Sequence, residues 1–136
     1  YQKYFDKLKL NIKKKGIDSR VKFMGFRNDI DYILMNSNFF IHTPIMADPF
    51  PTVIFEAIQT KTPVITNDLG GAIEILNNGN YGLIIENNLI DDSVDKILRY
   101  IENHELQKEN INKAFNYVYE NFSLDKFEKK IIKIIG

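Results

Sequence analysis

The sequence has no cysteine, which excludes a disulfide framework, a zinc ribbon and a thiol nucleophile. It also lacks any stretch approaching ~18 uncharged apolar residues, so no transmembrane helix is expected. No basic-then-apolar leader ending in small residues opens it, so no secretory signal is expected, and a reducing, cytoplasmic setting is compatible. The chain holds no Asp/His cluster of metal-ligand spacing. Net charge is absent as well, since 18 Lys and Arg balance 18 Asp and Glu. What remains is 136 residues, 44% of them hydrophobic, a length that fits one domain with a real core and leaves no room for two.

The neutral total is a sum of unlike parts. Residues 1–22 carry a net +6, residues 29–95 a net −9 with Lys61 as their one cation, and residues 96–136 a net +2. Acids dominate the middle and no basic–aromatic interleaving occurs, so nucleic-acid binding is not expected. Isoleucine (21), lysine (15) and asparagine (15) are abundant in a way that fits an AT-rich genome, so single asparagines carry no functional weight here.

Apolar residues at Tyr1, Tyr4, Phe5, Leu8 and Ile12 recur at helical spacing until Gly16 stops the pattern. Val21–Gly25 alternates as a strand, and Asn28 is placed to cap a helix through Ile30, Ile33 and Leu34. Phe39–His42 has the size of a buried strand. From Thr52 to about Thr60 the pattern is helical, with Pro51 expected at the first helical position. Pro63–Asn67 reads as a strand, Gly70-Gly71 turns the chain into a short helix through Ile73 and Leu76, and Tyr81–Glu86 reads as another strand. Helices are expected over 91–103 and 105–120, followed by a third capped by Ser123 and carrying Phe127, Ile131, Ile132 and Ile135. Strands alternate with helices, and the middle strands are apolar on both faces, which points to a parallel sheet covered by helices. Such sheets bind ligands at the carboxyl ends of their strands. The loops to watch therefore follow Gly25, Pro44, Asn67 and Glu86.

The segment Pro44–Ala57 carries the most chemistry. Asp48 precedes a helix and Glu56 lies eight residues later, more than a turn inside it. The helix start offers the N–H groups of Thr52, Val53 and Ile54 to an anion such as phosphate. A carboxylate a turn further in could accept the hydroxyls of a ribose. The same residues also allow a plainer account, in which Asp48 caps the helix and Glu56 is solvated.

The ordered series Val21-Lys-Phe23-Met-Gly25, Pro44, Asp48 with Glu56-Ala57 after seven residues, Pro63-Val-Ile65, Gly70-Gly71-Ala-Ile-Glu74, Gly82-Leu83 and Phe122-Ser123 resembles the carboxyl-terminal domain of the GT-B glycosyltransferases of group 1, or family 4. The resemblance covers nearly the whole chain. It implies a Rossmann-like α/β fold, a parallel sheet with flanking helices, as the carboxyl-terminal half of a GT-B fold without its first strands. Residues 1–136 would then be part of a nucleotide-sugar-binding domain. The implied activity is retaining transfer of a hexose-type sugar from a nucleotide diphosphate-sugar to a saccharide or lipid-linked acceptor, in surface-polysaccharide synthesis. It further implies that Glu56 holds the ribose and that Asp48, the catalytic candidate, faces the donor sugar. Phe50, Pro51, Thr52 and Val53 would lie near sugar and phosphate, and Phe26 and Arg27 would border the base. No metal or cofactor is implied, because a helix start and basic side chains neutralise the leaving diphosphate.

Against the family pattern, Asp48 stands for the commoner Glu, Ile45 for a usual Ser and Pro51 for a frequent Gly. Two earlier strands, an Arg and Lys pair that clamps the diphosphate, and the acceptor domain have no counterpart. The Val21–Gly25 strand is thereby expected to lack its neighbour and to leave backbone unpaired. His42 at a strand end is read as packing, His104 as solvated, Asp68 as a cap for the following helix, and Glu74 as favoured by that helix's dipole. The basic first helix is read as an exposed face, although peripheral membrane association of an intact enzyme is compatible with it. Two other readings remain: a non-catalytic nucleotide-binding or docking fragment, and a nucleotide-sugar epimerase of the same fold.

Overall fold

We obtained a computed structural model that describes residues 2–122 and 124–135, without the side chains of Leu124, Phe127, Lys130, Ile131, Ile134 and Ile135. The expected cap at Ser123 and the apolar face of Phe127, Ile131 and Ile135 lie outside what is described, as does Tyr1. The elements run α1 (Gln2–Lys14), α2 (Ile30–Met35), β1 (Phe40–His42), α3 (Thr52–Gln59), β2 (Val64–Asn67), α4 (Ala72–Ile75), β3 (Leu83–Ile85), α5 (Ile90–Glu102), α6 (His104–Asn121) and α7 (Leu124–Ile135). Short 3-10 turns occupy Asp18–Arg20 and Asn77–Gly79.

The three strands form one parallel sheet in the order β1-β2-β3. Phe40, Ile41 and His42 stand opposite Val64, Ile65 and Thr66, while Ile65, Thr66 and Asn67 stand opposite Leu83, Ile84 and Ile85. Every residue of β2 is buried, the polar Thr66 and Asn67 as well as Val64 and Ile65, as befits a central parallel strand. On one face of β2, Val64 joins a core made with Leu34 of α2, Ile54, Ala57 and Ile58 of α3, Ala72 and Ile75 of α4, Leu76, and Ala114 and Val118 of α6. The period of the α3 residues is that of one helical stripe. Ile65 points to the opposite face.

Buried polar groups between the layers are mostly paired. Thr62 Oγ1 donates to the Leu34 carbonyl at 2.9 Å, and Asn110 Nδ2 donates to the Asn80 carbonyl at 2.8 Å. Gln107 Nε2 donates to the carbonyls of Tyr100 and Ile101, satisfying the end of α5. The Asn103 side chain accepts from Leu106 N and caps α6.

The structure differs from the sequence reading at the front. Val21–Gly25 is not a strand. Val21 has extended dihedrals (φ −114°, ψ 125°), but none of the described strands pairs with the segment. Backbone without a partner forms no ladder. The apolar side of α1 packs there instead, with Phe5 edge-on to Phe23 at 4.9 Å and Lys9 over the Phe5 ring at 4.4 Å. No residue of α1 is buried. Gly16, at φ +65°, stops α1: Ile17 N donates to Ile12 O and Gly16 N to Lys13 O, a left-handed C-terminal cap. Asn28 is not the cap of α2. Asp29 occupies that position, with no side-chain capping bond.

Tyr100 of α5 is 4% exposed, and its hydroxyl finds no partner among the described residues. Burial pushes the phenol up to about 12, from an ordinary 10.0. The unfolded chain releases this proton first, so stability is intact below pH ~10 and declines as pH rises towards ~12. Tyr100→Phe should therefore raise stability at pH 7 by about 1 kcal/mol, the cost of an orphaned hydroxyl. It should also flatten the alkaline decline, as read by urea unfolding at pH 7 and about pH 11. A loss of stability at pH 7 would mean that the hydroxyl is bonded.

Candidate functional site

The site lies at the carboxyl ends of the strands. It is formed by the loop of residues 43–51 between β1 and α3, the turn of residues 67–71 after β2, and the loop that follows β3. Pro51 is the N-cap residue of α3 (φ −69°, ψ 94°), one position earlier than expected, and Thr52 opens the helix. Its ring is fully buried, so it fixes the entry of the chain into α3. Ile54 N donates to the Pro51 carbonyl at 3.1 Å, which withdraws Ile54 from the three expected anion donors. Thr52 and Val53 are both exposed, and their amides have no recorded partner among the described residues. Two N–H groups and the positive end of an eight-residue helix remain, facing solvent.

Asp48 is exposed and does not cap α3. Its Oδ1 accepts from Phe50 N at 2.9 Å, a tight turn within the loop. That bond also occupies the Phe50 amide, so Phe50 offers its ring: half exposed, 5.0 Å from Phe55 and 6.4 Å from Phe122. Glu56, on the second turn of α3, is half-buried, and its carboxylate makes no hydrogen bond or ion pair among the described residues. An acid held on a rigid helix and left unpaired is free to bind hydroxyl groups.

Phe26 and Arg27 are less fixed. They follow the unpaired 21–25 segment, and Phe26 is 97% exposed. Arg27 reaches forward to Asp29, whose two carboxylate oxygens accept from Nε and Nη2. Those hydrogen bonds hold Arg27 above and Asp29 below their ordinary values. Such an exposed pair is weak and screened, so a ligand could compete for either member.

The turn after β2 contributes more than the sequence suggested. Gly71 N donates to the Asp48 carbonyl at 2.8 Å. A Cβ on Gly70 would meet that carbonyl oxygen at 2.4 Å, and one on Gly71 would meet the Pro49 carbonyl oxygen at 2.0 Å. Only glycine lets the two backbones approach this closely. Asn67, 2% exposed, donates from Nδ2 to the Pro44 carbonyl at 2.9 Å and to Asn87 Oδ1 at 2.7 Å. Asp68 does not cap α4, since its Oδ1 accepts from Asn87 N at 3.1 Å. Three of the four loops marked for attention are thus tied together through Asn67 and Asp68. Asn67 was passed over because asparagine is common throughout the chain. Its place as the last residue of a buried strand, three before the glycine pair, was the available signal.

His42 closes β1, half-buried, with Nδ1 3.5 Å from Thr66 Oγ1 and its ring stacked 6.2 Å from Phe40. His104 opens α6 and is exposed; Glu74 lies in the first turn of α4, also exposed.

The family model described as "Glycosyl transferases group 1" matches residues 1–135. The chain belongs to that family. An Escherichia coli UDP-Gal:alpha-D-GlcNAc-diphosphoundecaprenol alpha-1,3-galactosyltransferase is 30% identical over 129 residues, covering 95% of this chain and 32% of the relative. The crystal structure of Anabaena Alr3699/HepE in complex with UDP-glucose superposes with a TM-score of 0.87 at 27% identity, over 98% of this chain and 37% of that one. The C-terminal domain of a group 1 family protein (LpcC) from Francisella tularensis has the same fold, with a TM-score of 0.70 over 90% of this chain and 64% of that domain. The three-stranded parallel sheet and its helices are therefore the carboxyl-terminal half of a GT-B fold without its first strands. The chain spans 20–32% of the length of the curated relatives it matches.

Burial pushes the His42 imidazole below its ordinary value, and the nearby Asp48 carboxylate partly opposes that shift. The folded state therefore resists a proton that the unfolded chain accepts. Its contribution to stability is intact above pH ~6.5 and is lost as pH falls towards the lower folded value. An NMR titration should place His42 below 6.5, and Asp48→Asn should lower it further. An upward shift in that variant would contradict the coupling.

Proposed function

We propose that this chain is the donor-binding part of a retaining glycosyltransferase that moves a hexose-type sugar from a nucleotide diphosphate-sugar to a saccharide or lipid-linked acceptor. The observation that carries the reading is the opening of α3, where, among the described residues, the amides of Thr52 and Val53 are unpaired and Glu56 stands unpaired one turn further in. In this reading the two amides and the helix dipole receive the diphosphate, and Glu56 accepts the ribose hydroxyls. Asp48 meets hydroxyls of the donor sugar. The buried Pro51 sets the loop's entry to the helix, while the Phe50 ring walls the sugar side. Phe26 and Arg27 border the base.

The HepE crystals hold UDP-glucose or UDP, and the E. coli relative is named for a UDP-Gal donor, which supports uridine as the base here. The diphosphoundecaprenol acceptor in that relative's name supports a lipid-linked acceptor and a role in surface-polysaccharide synthesis. A lipid-linked acceptor sits in a membrane, so we place the intact enzyme in the cytoplasm at the inner face of the plasma membrane.

Chemically, the fixed helix start stabilises the charge that grows on the departing diphosphate, and it needs no reorganisation as the bond breaks. No metal takes part in this account, and basic groups outside this chain complete the neutralisation. An acceptor-binding domain outside this chain would supply proximity and exclude water.

Titration of UDP and GDP into the 136-residue chain should show binding that prefers UDP. Glu56→Ala should weaken it about tenfold or more, in line with hydrogen bonds to a charged group. EDTA should leave the affinity unchanged. The chain alone should transfer sugar far below the rate of an intact enzyme. Absence of nucleotide binding by the unaltered chain would reduce it to a docking or scaffold piece, and transfer at a rate typical of intact enzymes would overturn the assignment to a donor half.

A further inference from the structure

The loop that carries Asp48 has little of its own to hold it. Residues 45–50 are all exposed, and among the described residues the Asp48 carboxylate bonds only to the amide two residues on. Such a loop would ordinarily be the most mobile part of a site. It is instead fastened from beneath at both ends. Pro44 is held through its carbonyl by Asn67 Nδ2, and Asp48 is held through its carbonyl by Gly71 N. Between those two bonds the backbone of Asp48 and Pro49 rests on Gly70 and Gly71 with no room for a single added carbon.

Asn67 is itself locked. Its Nδ2 also donates to Asn87 Oδ1, and Asn87 N donates to Asp68 Oδ1, so the turn is braced against the loop after β3. Both donor bonds face carbonyl-type acceptors, which fixes the amide with Nδ2 towards Pro44 and leaves Oδ1 buried without a partner among the described residues. The position carries an unsatisfied acceptor that an apolar residue of the same shape would avoid. What asparagine supplies there is the grip on Pro44.

We propose that the turn Asn67–Gly71 is the positioning element for Asp48, fixing where that carboxylate stands and so setting how tightly the sugar part of the donor is held. Asn67, Gly70 and Gly71 need not touch the donor to do this; they act through the loop. The inference rests on the reading of Asp48 as the sugar contact, and it adds residues that decide sugar affinity apart from nucleotide affinity. A carboxylate displaced by an ångström loses the geometry of its hydrogen bonds, whereas the amides of Thr52 and Val53 and the Glu56 carboxylate are held by α3 and the core and stay in place.

The test is the ratio of two affinities in the same protein. UDP, UDP-glucose, UDP-galactose and UDP-N-acetylglucosamine are titrated into the unaltered chain, and the sugar nucleotide with the greatest advantage over UDP is carried forward. Asp48→Asn, Gly71→Ala and Asn67→Leu are then compared, together with the double variant Asp48→Asn/Asn67→Leu. Asn67→Leu keeps the side-chain shape and removes the donor, so it reports even if Gly71→Ala fails to fold. Asn67→Leu should hold UDP within about twofold of the unaltered chain and lose the sugar advantage by the same factor as Asp48→Asn, about tenfold. The double variant should lose no more than Asp48→Asn alone, the non-additivity expected of residues acting through one group.

A sugar advantage that survives in Asn67→Leu while Asp48→Asn abolishes it would overturn the inference. So would a parallel fall in UDP and sugar-nucleotide affinity, which marks general damage to the domain. If the unaltered chain binds UDP but Asp48→Asn leaves the sugar advantage untouched, the role of Asp48 fails first and the inference falls with it. If it binds no nucleotide, the donor-site reading itself is wrong.

Discussion

Strand β2 is buried along its whole length, with Val64, Ile65, Thr66 and Asn67 each 0–2% exposed. A parallel strand in that position needs a neighbour on each edge and helices on both faces, because its backbone groups have no access to water. Four residues therefore dictate the surrounding elements. Val64 and Ile65 supply the apolar half of that demand: Val64 joins the core with α2, α3, α4 and α6, and Ile65 faces the other side. Thr66 and Asn67 supply a polar half, which must be hydrogen-bonded once buried. The bonds they make, to the carbonyls of His42 and Pro44, bind the end of β2 to the chain leaving β1. The satisfaction of buried polar groups in the core is thus the same event that builds the floor of the site.

The electrostatics divide in a comparable way. Residues 29–95 carry a net −9, yet the one feature there suited to an anion is made of backbone: the start of α3. A helix terminus is a local source of field that decays within a turn, so it operates among acids that would defeat a diffuse positive patch. Lys61, the one cation in that stretch, sits over the Phe115 ring, and Arg27 just before it is paired with Asp29. On the proposed reading, acids in the middle serve hydroxyl groups, which carboxylates accept well, while most of the diphosphate charge is met from outside this chain.

The alternation of strands and helices, the buried middle strand and the helix after Pro51 were all legible in the sequence, because each follows from apolar period and from proline's missing N–H. The errors share a cause. Val21–Gly25 has a strand's alternation, but pairing depends on a partner that no local pattern reports. The position of Pro51 at the cap, the loss of Ile54 N–H and the capture of Phe50 N by Asp48 depend on single dihedrals that residue types do not fix. The glycine pair was visible as a motif, but its purpose required knowing which backbone lies above it. Asn67 was hidden by composition, since fifteen asparagines make any one of them look incidental. The order of the family's residues was the strongest signal, and it located the segments correctly without stating how they touch.

The same contrast between elements with and without partners runs through the site. Ile41 on the edge strand β1 is 56% exposed, and Val21, Phe23 and Met24 are 37–44% exposed in a segment that no described strand pairs with. Apolar surface of that kind marks a boundary of the sheet. The parts that would hold phosphate, ribose and sugar do not depend on that boundary. They are fixed by α3, by the buried β2 and by the glycine turn, all of which are complete within this chain. Phe26 and Arg27 depend on it directly, because the segment that delivers them has no strand to pair with. The contacts that border the base are accordingly the least rigidly held of the proposed site. Those at the diphosphate-sugar end are the firmest, since rigid elements position a contact well only when they are themselves held.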